Sequence, residues 1–166
     1  LNTLLHENGH ALAALLLKGE VLRIELKSDL SGSALTKTPS KGKAAVVAFT
    51  GYPFAMAGAA LLIRLSLKGY ETAGLLILAS LALINAIFVV RNNYGLAWLI
   101  TFAALILLVN WLKQPLLTRV FFLALSQIAF AEAVISTLVI LYLGMVQPKK
   151  AGDATLLAKL TGIPAA

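Results

Sequence analysis

Five runs of mostly apolar residues divide this chain, and each is close to the length that crosses a bilayer. A membrane-spanning helix needs about 20 such residues. The runs cover roughly 1–17, 44–65, 70–90, 96–112 and 120–143, with Lys, Arg, Gly and Pro in the gaps. Inside a bilayer the backbone must satisfy its own hydrogen bonds, so runs of this length fold as helices. Composition agrees: 60% of residues are apolar and only 13% are charged, against about 25% charged in soluble domains. The expectation is an all-α polytopic membrane protein of about five transmembrane helices, forming a single membrane-embedded domain over 1–166. The first run is short at its start and opens on Leu1, so residues are expected to be missing in front of it.

The segment between the first two runs reads differently. In "VLRIELK", Leu22, Ile24 and Leu26 alternate with Arg23, Glu25 and Lys27, the two-residue period of a half-buried strand. "SDLSG" follows as a turn and "SALTKT" as a second strand, so a small β-hairpin is expected over 20–38. Pro148 should stop the last long helix. The tail, 148–166, should carry a short amphipathic helix over roughly 154–160, with Asp153 as its cap.

The net charge of +7 is explained by loops rather than by a polyanionic partner. No basic patch is interleaved with aromatics, so nucleic acid is excluded. With five spans, ten Lys and Arg fall on the side of the hairpin and tail and four on the other. The positive-inside rule makes the first side cytoplasmic. With no cysteine, disulfides, thiolate metal sites and cysteine nucleophiles are all ruled out.

Against this apolar background "LLHENGHALAALLLKG" is costly. It places His6, Glu7 and His10 in a greasy helix, where unpaired polar groups are disfavoured. These are the only two histidines in the chain. Positions i and i+4 share one helix face, so His6 and His10 can aim two nitrogens at one point. Zinc takes such nitrogens at about 2.0–2.1 Å. Glu7, next to the ligands, is then a general base. This is the H-E-x-x-H arrangement. Lys18 marks the cytoplasmic end of the helix, which puts the metal about 12 Å inward from it.

With that motif in view, the chain resembles the site-2-protease-type intramembrane zinc metallopeptidases. "HENGHALAALLLKGEV", "SDLSGSALT", "FTGYP", "VVRNNYG" and "GDATLLAKLTGIP", in this order, are most similar to the small bacterial M50B-like membrane proteins. The resemblance implies a metallopeptidase that hydrolyses peptide bonds in or near the bilayer with one Zn2+ ion. His6 and His10 would be ligands and Glu7 the catalytic base. It implies a membrane-protein or peptide substrate, and residence in a bacterial cytoplasmic membrane with the metal near the cytoplasmic side. The alternatives are a non-catalytic metal-binding scaffold or sensor, and an ion transporter.

The resemblance also implies a third ligand, and here the chain departs from the best-known members. They use an aspartate of an Asp-Gly pair, where this chain has "NAIFVVRNNYG". Three candidates stand open: Asp153 in the tail motif, the amide oxygen of Asn92 or Asn93, and Glu132, an acid in mid-membrane. Asp153 is the first choice. Asn85, Asn92 and Asn93 are candidate substrate contacts. Glu132 alternatively hydrogen-bonds Ser136 one turn on. Gly51 and Pro53 are read as a close-packing and bending point of the second span, with Gly58, Ala59 and Ala60 as further small packing residues.

Overall fold

A computed structural model describes residues 1–164. Helix α1 (Asn2–Leu16) leads into an antiparallel hairpin, β1 (Glu20–Leu26) and β2 (Gly32–Lys37). Four long helices follow: α2 (Lys41–Leu67), α3 (Glu71–Phe88), α4 (Asn93–Trp111) and α5 (Pro115–Val146). A 3₁₀ turn, Pro148–Lys150, joins α5 to the short α6 (Gly152–Thr161).

Helices α2 to α5 are long and apolar enough to cross a membrane. At 15 residues, α1 is about 22 Å long, short of a hydrocarbon core of about 30 Å. The expected five spans are thus four full-length helices and one shorter one. Local chemistry sets the boundaries. The hydroxyl of Ser40 accepts from Lys43 N at the start of α2, satisfying a donor that the helix leaves free. Pro115 opens α5 in its first turn, where its missing N–H costs nothing. Gly162, at φ 77°, closes α6 in the left-handed region.

Two larger apolar cores, and a small one of Ala13, Ala14 and Val47, hold the bundle. Leu62, Leu75, Leu78, Ile106 and Phe122 join α2, α3, α4 and α5. Leu4, Ile24, Leu26, Ala82 and Leu99 join α1, β1, α3 and α4, with Val90 from the chain after α3. The second core ties the hairpin to the helices through its alternating residues: Ile24 is fully buried and Leu26 nearly so.

The hairpin has one edge covered by backbone and one edge without a strand partner, where the Ala34 N–H meets the Glu7 carboxylate. Ile24 N donates to Val89 O at 3.0 Å, and Arg91 N donates to Ile24 O. Asn92 then mimics a strand: its Oδ1 accepts from Leu26 N at 3.1 Å and its Nδ2 donates to Leu26 O at 2.6 Å. The chain after α3 therefore occupies the outer side of β1. Strand β2 pairs only with β1 among the described residues.

Candidate metal centre

Three elements far apart in sequence converge on one point. Helix α1 supplies His6 and His10, one turn apart. Helix α6 supplies Asp153. Helix α2 supplies the wall behind them. The Nε2 atoms of the two histidines lie 3.0 Å apart. Asp153 Oδ2 lies 2.9 Å from His6 Nε2 and 3.1 Å from His10 Nε2.

The protonation of His10 follows from its other nitrogen. Nδ1 lies 2.7 Å from the carbonyl oxygen of Val47, which can only accept, so Nδ1 donates. Neutral His10 then presents a bare Nε2 to the other two atoms. Three such atoms this close need a shared proton or a cation among them, and one cation bonded to all three meets that need. The donor set suits zinc, two imidazole nitrogens and a carboxylate oxygen. Ligands at about 2.0–2.1 Å in tetrahedral array stand about 3.3 Å apart, within a few tenths of an ångström of the spacing here. The Val47 carbonyl is the kind of partner that orients a ligating imidazole.

Glycines make the approach of the elements possible. A Cβ on Gly51 of α2 would overlap the Cε1 atoms of both imidazoles and come within 2.7 Å of His10 Nε2. A Cβ on Gly32 of β2 would lie 2.8 Å from Glu7 Oε1 and 2.6 Å from the Thr3 methyl. Tyr52, next to Gly51, sets its ring edge-on to His6 with centroids 4.5 Å apart.

Glu7 is 4% exposed and, among the described residues, has no ion-pair partner. With His6, His10 and Asp153 it lines a cavity of about 500 Å³ that also meets Ser33 and Thr36 of β2. Asp153 does not cap α6 with its side chain: Ala151 is the cap residue and Asp153 sits in the first turn. Burial works against the Asp153 carboxylate, but in the metal-free site hydrogen bonds from His10 and His6, with a proton on Nε2, outweigh it and hold its pKa below the usual carboxylate range.

The other candidates lie elsewhere. Asn92 is committed to Leu26, and Asn93 is exposed at the start of α4; neither lines the cavity. Asn85 exchanges two amide hydrogen bonds with Asn8 at 3.0 and 3.2 Å, joining α3 to α1. Glu132 accepts from the backbone N–H of Asn2. Ser136 accepts from the Asn2 amide rather than bonding Glu132. Asn8, Gly32 and Tyr52 carry parts that their sequence pattern did not mark. A polar residue beside Glu7 on an otherwise apolar helix was the signal available for Asn8.

A bundle of apolar helices with two imidazoles, a carboxylate and a neighbouring glutamate around one point has the layout of a membrane metallopeptidase. The comparison with family models agrees: the chain matches Peptidase M50B-like over residues 1–166 and belongs to that family. No curated protein and no solved structure matches it.

Proposed function

We propose that this protein is an intramembrane zinc metallopeptidase, a single membrane-embedded domain that hydrolyses peptide bonds in or beside the bilayer. The observation that carries the reading is the convergence of His6 Nε2, His10 Nε2 and Asp153 Oδ2 within 3.1 Å, with Glu7 in the same cavity. These three side chains would hold one zinc ion, which supplies Lewis-acid polarisation of a carbonyl and makes a water more acidic. Glu7 takes the proton of the attacking water and passes it to the leaving amine. Low exposure keeps its carboxylate close to the reaction and away from bulk solvent.

The edge of β2 without a strand partner suggests how substrate is presented. A membrane helix hides its peptide bonds in internal hydrogen bonds and must be unwound before it is cut. An extended segment pairing with β2 would have its main chain held beside the metal cavity. Four apolar helices fit an integral membrane protein, and the excess of basic residues around hairpin and tail supports a site toward the cytoplasm.

Two measurements test the reading. Elemental analysis of detergent-purified protein should find one zinc per chain. Glu7→Gln should keep that zinc and lower cleavage by about 10²–10⁴-fold. Protein that purifies without zinc, or a Glu7→Gln variant that cleaves as well as its parent, overturns it. Zinc retained with no cleavage by either form supports a binding scaffold instead. A proline scan over 33–37 tests β2: positions whose N–H faces away from β1 should lower cleavage while zinc stays bound.

A further inference from the structure

Two chambers meet at Asp153. One is the metal cavity. The other, about 390 Å³, lies between α2, α5 and α6 and is walled by Phe49, Pro53, Met56, Thr137, Ile140 and Leu157. Ala48, Tyr52 and Asp153 line both chambers. The two differ in chemistry. The metal cavity is edged by Ser33, Thr36, Thr38 and Ser136. The second chamber has hardly any free polar group in its wall. Asp153 Oδ2 is turned to the histidines, and the Thr137 hydroxyl donates back to Ala133 O on its own helix.

We propose that the second chamber is a specificity pocket for one large apolar side chain, Leu, Ile, Met or Phe, of the residue beside the scissile bond. The proposal rests on the peptidase reading and adds a substrate preference to it. Its argument is continuity. An extended chain advances at most 3.3–3.6 Å per residue, so a carbonyl brought to Asp153 and the two histidines has a flanking side chain within reach of the shared wall. A charged side chain entering there would lose its water and meet no partner. A glycine or alanine would leave the chamber largely unfilled. A large apolar side chain gains from burial against Phe49, Met56 and Leu157. Selection in an apolar pocket runs at about 10–200-fold per methylene-sized change.

The test uses zinc-loaded protein in detergent and a proteome-derived peptide library, with cleavage sites read by mass spectrometry. One position flanking the cut bond should be enriched at least about 10-fold for Leu, Ile, Met and Phe over Gly, Ala and Asp. Thr137→Phe narrows the chamber and should move that preference to Ala and Val. Met56→Ala widens it and should move it toward aromatics. In parallel, the same library is passed over Glu7→Gln protein and the retained peptides are identified. Retention with the apolar preference but no cleavage by the parent leaves the pocket standing and removes the peptidase reading. Cleavage without the preference, or a preference that neither variant moves, overturns the pocket and leaves the peptidase. A lipid that co-purifies with the parent and is lost from Thr137→Phe, with the peptide profile unchanged, also overturns it, since the chamber then holds an acyl chain.

Discussion

The polar side chains of this bundle behave in two ways, and the division follows the fold. Around α1, the hairpin, α2 and α6 they tie one element to another. His10 reaches Val47, Asn8 pairs with Asn85, Asn92 clamps Leu26, and Thr3 donates to Leu30 O. In α4, and in α5 apart from Glu132 and Ser136, which meet Asn2 of α1, they turn back on their own helix. Asn110 donates to Ile106 O, Thr118 to Gln114 O and Ser126 to Phe122 O, each four residues upstream. The first region is specified by directional bonds between elements and the second by packing around Phe122, Ile106 and Leu78. Position therefore matters to a few tenths of an ångström in the first region. In the second, shape and volume are enough.

The largest effect should come from Asp153. In Asp153→Ala the two imidazoles lose the only carboxylate among the three converging donors. Zinc affinity should fall by more than about 100-fold, measured by competition with a chelating dye. Thermal unfolding of the metal-free protein should change far less, because α6 has no buried residue of its own. Equal zinc affinity in Asp153→Ala and parent would separate α6 from the site and remove it from the directional region.

Gly51→Ala should come next. The new methyl overlaps both imidazoles, so α1 and α2 must move apart or the rings must turn. Zinc affinity should drop by about 10–100-fold while the helical signal is kept. Gly58→Ala, lower on the same helix, is the matched control. Its Cβ meets only Leu5 methyls at 3.3 Å and beyond, flexible atoms that can yield. If the two variants cost the same zinc affinity, proximity of α2 to the rings is not what matters there.

This contrast also explains what the sequence could and could not disclose. Hydropathy and length mark α2 to α5 because burial in lipid acts on every residue of a span. Alternation marks β1 because Ile24 and Leu26 reach the core while Arg23 and Glu25 do not. The i, i+4 spacing brings His6 and His10 together because it is a property of one helix. Asp153 lies 143 residues from His10, and no local period links them; it stood among the candidates through its tail motif. Gly51 read as a packing glycine. That it faces the imidazoles depends on how α2 is rotated against α1, which no single-helix pattern contains. Asn85 and Asn92 read as substrate contacts through the family resemblance, which does not show what else they bond. The partners, Asn8 and Leu26, come from other elements.

The smallest effects sharpen the comparison most, because they set one buried polar group against another. Asn85 and Ser126 are both almost wholly buried, at 1% and 0% exposure. Asn85→Leu strands Asn8, which keeps only its bond to Leu4 O. An interhelical hydrogen bond in a bundle of this kind contributes about 0.6–1.7 kcal/mol, so a loss of about 1–2 kcal/mol is expected, seen as a lowered unfolding midpoint in detergent. Because Asn8 adjoins Glu7, zinc-dependent cleavage should fall with it. Ser126→Ala removes a hydroxyl whose only partner among the described residues is Phe122 O, a carbonyl inside α5 that already has a helical donor. Its cost should stay within about 0.5 kcal/mol, with zinc affinity unchanged. If Ser126→Ala proved as costly as Asn85→Leu, burial alone would decide the cost of losing a polar group. If only Asn85→Leu is costly, the deciding factor is whether the bond joins two elements.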